Sequence, residues 1–71
     1  MNYILRDEKY NIVDVFECKQ ELLNYTILFL DKHNKTMKEN GENENIIEMS
    51  IETVGDCITV FYGFGYSIEM R

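Results

Sequence analysis

One histidine, His33, and two cysteines, Cys18 and Cys57, are the side chains here best suited to nucleophilic or acid–base chemistry at neutral pH. A thiol–imidazole pair would need the two groups within hydrogen-bond reach. Riding on one helix, Cys18 and His33 would stand about 22 Å apart at 1.5 Å per residue, so they form no dyad. A thiol at a helix N-terminus can be activated, which leaves a thiol-dependent enzyme or redox sensor using Cys18 as a remote reading beside that of a half-buried cap. His33 falls on the apolar side of the same helix near its end, where an imidazole packs and bonds a free carbonyl. The cysteines form no CxxC and have no histidine nearby, so neither a zinc site nor a disulfide framework is indicated.

The other chemical motifs fail on their surroundings. Gly63-Phe64-Gly65 lacks the third glycine and the following helix that a phosphate-binding loop requires. A calcium loop framed on Gly41 would need an oxygen donor where Ile47 stands. Scattered carboxylates could be paired on paper as in a glycosidase, but so small a core frames no polar cleft. The N-x-T sequons at Asn24 and Asn34 read as chance matches. No catalytic, cofactor-binding or metal-ligating residue is expected, and enzymatic activity is not.

Length and charge narrow the remaining classes. Seventy-one residues make one domain, residues 1–71, and a chain this short buries only about 60% of the surface its unfolded form exposes. The net charge of −6 belongs entirely to the C-terminal half. Residues 1–38 balance six acids against six bases, whereas residues 39–71 hold seven acids and Arg71 alone. That asymmetry disfavours direct binding to nucleic acid or an anionic membrane and favours a basic partner. The N-terminus has no signal-peptide pattern and the longest strongly apolar run is Ile27 to Leu30, so a soluble cytoplasmic chain with free thiols is expected.

Periodicity sets the elements that must carry any surface. "NYILRDEKYNIVDVFE" predicts a β-hairpin turning at Asp7 to Asn11, with Leu5 opposite Val13 and Tyr3 opposite Val15. The next stretch predicts a helix opened by a Cys18–Glu21 capping-box spacing and closed by Gly41. Leu22, Leu23, Thr26, Phe29, Leu30, His33 and Met37 share one side of it. Beyond the polar connector "KENGENEN", residues 47–70 alternate apolar and polar on either side of Gly55-Asp56, which predicts a second hairpin with a tight turn. A further turn at Gly63 to Gly65 is the alternative to one long final strand. The expected fold class is α+β: a four-stranded, mostly antiparallel sheet built from two hairpins, with one helix packed on one face.

On that fold the outer sheet face would display Glu48, Glu52 and Glu69 around Phe61, with Leu28 and Tyr25 on the polar flank of the helix. Acids at the same-face strand spacing of about 6.6–6.8 Å could stand in for phosphates on a basic groove, and apolar anchors inside a charged rim are the build of a recognition patch. The plainer reading is a solvated face that keeps a small protein soluble. The expected function is a small acidic inhibitor or modulator, non-enzymatic and possibly nucleic-acid-mimicking, of a basic nucleic-acid-handling protein such as a defence nuclease. In class alone it is like the inhibitors that mobile elements carry against host nucleases. The alternative is a homodimeric assembly module using the helix flank or the C-terminal strand, whose Tyr66, Ile68 and Met70 outrun their expected partner and are either covered by the N-terminal hairpin or paired edge to edge with a second copy.

Overall fold

In the computed structural model, which describes residues 1–71, the first two apolar stretches pair antiparallel as β1 (Tyr3–Arg6) and β2 (Ile12–Phe16). The Asp7 carboxylate shapes their turn by accepting the N–H groups of Lys9 and Asn11, each at 2.9 Å. The expected register holds only beside the turn, at Arg6 opposite Ile12. An irregularity there advances it by one residue, so Leu5 faces Asp14 and Tyr3 faces Phe16. The shift brings the larger Phe16 into the core and leaves Val13 and Val15 exposed.

The helix α1 (Lys19–Glu39) follows, with Leu22, Leu23, Thr26 and Leu30 buried along one stripe. Cys18 occupies the N-cap position but its side chain makes no capping bond; Glu21 instead accepts the N–H of Glu17 at 3.1 Å. The far end closes as the sequence predicts. Gly41 takes φ +70, and the N–H groups of Glu42 and Gly41 bond back to the carbonyls of Met37 (2.8 Å) and Lys38 (3.2 Å).

The second predicted hairpin does not form. Past a 3₁₀ turn at Asn43–Asn45, residues 46–53 are irregular, Val54–Gly63 is a second helix α2, and only Ser67–Met70 is a strand, β3. The sheet therefore has three strands, ordered β2-β1-β3 and antiparallel throughout, with two helices where one was expected. Gly55-Asp56 is the first turn of α2 rather than a hairpin turn. Thr53 caps that helix: its hydroxyl accepts the Asp56 N–H at 3.1 Å, while the Asp56 carboxylate accepts the N–H groups of Thr53 and Glu52, both at 2.9 Å.

Burial decides between the two periods. Val54, Cys57, Val60, Phe61 and Phe64 recur at helical spacing, and Cys57, Val60 and Phe61 are buried. Ile58 and Tyr62, which a strand would turn inward, stay exposed. Gly65, at φ +81, then ends α2: Tyr66 N–H bonds the Phe61 carbonyl at 2.9 Å, and the two rings stack 6.0 Å apart. The chain leaves this cap into β3, where Ile68 pairs with Leu5 and Met70 with Tyr3. One core of Leu5, Phe16, Leu22, Leu23, Cys57 and Phe61 joins sheet and helices.

Two backbone bonds hold the Asp56 carboxyl below the ordinary carboxylate range, that from Glu52 first and that from Thr53 second. Because folding lowers this pKa, the stabilisation is complete above the unfolded value and disappears as pH falls through the folded one. Asp56→Asn should therefore lower the urea midpoint at pH 7, and the gap from the parent protein should shrink as pH falls below the ordinary value of 3.8. A gap that stays constant with pH would remove the charge from this account of the cap.

Candidate partner-binding surface

The groups with chemical potential are largely engaged in structure. His33 Nε2 lies 3.0 Å from the Asn45 carbonyl, to which its N–H donates, and the ring meets Phe64 edge-on at 5.0 Å. Cys57 is fully buried, and that burial pushes its thiol pKa up, leaving it protonated at neutral pH. Cys18 is exposed at the start of α1. No three histidine, cysteine, aspartate or glutamate side chains come together as a metal-ligand set. No helix is long and apolar enough to cross a membrane.

The connector between α1 and α2 forms an acidic strap across the helices. It contains Glu42, Glu44, Glu48 and Glu52 with no base among them, and is flanked by Glu39 at the end of α1 and Asp56 in the first turn of α2. Asn34, on α1, holds the middle of the strap with both ends of its amide: Nδ2 donates to the Ile47 carbonyl and Oδ1 accepts the Ile47 N–H, each at 2.9 Å. His33 fixes the strap two residues earlier at Asn45, Ile51 packs against the core, and the Thr53–Asp56 cap fixes its exit. The irregular backbone is thus tied at successive points, and its Glu48 and Glu52 face solvent.

The residues singled out from the sequence are dispersed by this fold. Glu48 and Glu52 remain together on the strap. Glu69 sits on β3 opposite Ile4 and is paired with Arg6 at 3.2 Å and with Arg71; these partners, Arg71 foremost, hold its carboxyl below the ordinary range. Phe61, expected on the outer face, is wholly buried because its position belongs to a helix, so it anchors no partner from the surface. Leu28 keeps its expected exposure at 68%. Tyr25 is half-buried against Phe16, with ring centroids 5.0 Å apart, and that burial raises its pKa.

Tyr25, Leu28 and Lys32 line an apolar groove of about 590 Å³ along α1. A second groove of about 610 Å³ shares His33 and Met37 with it and runs under the strap past Glu42, Glu44 and Met49. The helix flank and the acidic strap are therefore one continuous surface. Sequence reasoning missed two further exposed groups: Ile12, Val13 and Val15 on β2, and the tyrosines Tyr10 and Tyr62. A helical period through residues 54–64 would have turned Tyr62 outward; the exposure of Val13 and Val15 follows from a bulge that no residue type announced.

The class so defined is an α+β fold with a three-stranded antiparallel sheet beneath two helices and an acidic strap tied across them. No protein-family model, curated protein or solved structure matches the chain.

Proposed function

We propose that the chain is a small non-enzymatic binding protein that blocks or modulates a basic, nucleic-acid-handling partner such as a defence nuclease. The observation that carries this reading is the strap: Glu42, Glu44, Glu48 and Glu52 without a base, on backbone tied to α1 through Asn34 and His33. Backbone already tied in place presents its carboxylates to a basic surface without first being ordered, which lowers the cost of association. Their field speeds encounter and loses strength with salt. Leu28, at the other end of the connected grooves, supplies apolar contact beside the charge.

Proteins retained from a lysate by the immobilised chain at low salt and released by high salt should include a basic nucleic-acid-binding protein. The free chain should then displace nucleic acid from that protein. The double variant Glu48→Lys, Glu52→Lys should inhibit at least about tenfold less while keeping its circular dichroism spectrum, a loss equal to 1.4 kcal/mol. Undiminished inhibition by the folded variant would overturn the reading. Recovery of the chain alone, with a dimer mass on sedimentation, would favour an assembly module instead. One observation speaks for that second reading: β2 is an edge strand whose Ile12, Val13 and Val15 are all exposed.

A further inference from the structure

Between the β1–β2 turn and the C-terminal end of α2 lies a hollow of about 490 Å³ whose lining includes Tyr10, Tyr62, Tyr66, Asp7 and Glu8, and no basic residue. Tyr10 and Tyr62 are among the most exposed large side chains of the molecule, at 71% and 81%. Neither is needed by the core, and Tyr10 takes φ +68, a conformation that a bulky residue rarely adopts. The Glu8 carboxylate lies beside Gly65, within 3.6 Å of where a Cβ would stand, and makes no ion pair. It therefore sits by the last turn of α2, where the helix dipole is itself negative. Aromatic faces, carboxylates and a helix C-terminus all favour the same kind of guest. The molecule already shows the chemistry on one ring: the Arg6 guanidinium lies 5.9 Å from the centroid of Tyr10 while donating to the Tyr10 carbonyl at 3.0 Å.

We infer that this hollow is a binding site for a cationic side chain, a guanidinium or an ammonium group presented on a protein segment. The inference rests on the proposed function for the source of that segment, a basic partner, and adds a second point of contact away from the strap. Tyr62 supplies the principal ring face, Tyr66 the inner wall, and Glu8 the countercharge. Tyr66 is stacked on the buried Phe61, whereas Tyr62 and Glu8 are exposed.

The test is a titration of the full chain with short acetylated peptides that differ only at a central residue: arginine, lysine, trimethyl-lysine, citrulline or norleucine. Binding is read from the ring resonances of Tyr62 and Tyr66. One or more of the three cationic peptides should bind and the neutral pair should not. Tyr62→Leu should weaken binding about tenfold while Tyr62→Phe leaves it near the parent value, because phenylalanine keeps the ring quadrupole and leucine keeps only apolar area. Preference for arginine would assign a guanidinium, and preference for lysine or trimethyl-lysine an ammonium. Equal binding of norleucine, no binding of any cationic peptide, or indifference to Tyr62→Leu would overturn the inference. None of those results touches Glu48 or Glu52, so the strap reading would stand or fall separately.

Discussion

Replacing Phe61 by alanine should destabilise the protein by about 3–5 kcal/mol, whereas replacing its neighbour Tyr62 should change stability by no more than about 0.5 kcal/mol. Phe61 is fully buried, with its ring centroid 4.9 Å from that of Phe29, 6.2 Å from Tyr25 and 6.0 Å from Tyr66. Its carbonyl also receives the Tyr66 N–H that ends α2, so the ring fills the core at the point where the backbone turns toward β3. A domain of 71 residues has roughly 4–11 kcal/mol of stability in all, so the loss would leave a population that unfolds in mild urea. The pair also tests the fold itself. In a continuous final strand Phe61 would face solvent and Tyr62 the core, and the two costs would be exchanged. Urea midpoints for Phe61→Ala, Phe61→Leu and Tyr62→Ala decide the matter, with the leucine variant expected between the other two.

That contrast marks where the sequence was legible and where it was not. The strands of the first hairpin and the span of α1 were readable from a polar turn at Asp7 to Asn11 and from Gly41 where the helix needed φ > 0, but the hairpin register beyond Arg6 and the absent Cys18 cap were not. Residues 54–64 satisfied two periods at once. Apolar side chains at seven of the eleven positions allow both alternation and an i, i+3, i+7 stripe, so pattern alone could not separate strand from helix. The deciding signal was local. Thr53 followed three residues later by Asp56 is a helix-start spacing, and it competes with the reading of Gly55-Asp56 as a turn. The surface inherits the difference at Phe61, which belongs to the core; Glu69 lies on a strand as expected but is paired with Arg6 and Arg71, and Glu48, Glu52 and Leu28 are exposed and lie outside the ambiguous stretch.

Asn34→Ala should release the strap without unfolding the domain. The substitution removes two hydrogen bonds to Ile47, each contributing about 0.5–1.5 kcal/mol, and alanine returns up to about 0.7 kcal/mol through its better helix propensity. The net loss is then on the order of 1–2 kcal/mol and is local, since Asn34 lies outside the buried core. Hydrogen exchange should show it directly: the Ile47 amide should exchange faster while the amides around Leu22 and Phe61 keep their protection. Asn34→Asp separates the two bonds, because a carboxylate still accepts the Ile47 N–H but confronts the Ile47 carbonyl with a second acceptor. It should therefore loosen the strap as much as alanine does. If partner binding depends on a strap already in place, both variants should weaken it with every acid retained, since ordering of the freed residues must then accompany association. Faster exchange with unchanged binding would mean that the carboxylates act through net field alone, and Lys substitutions anywhere along the strap would then be interchangeable. Unchanged exchange at Ile47 would mean that His33 and the Thr53–Asp56 cap suffice to hold the strap, and the double variant with His33→Ala would be needed to free it.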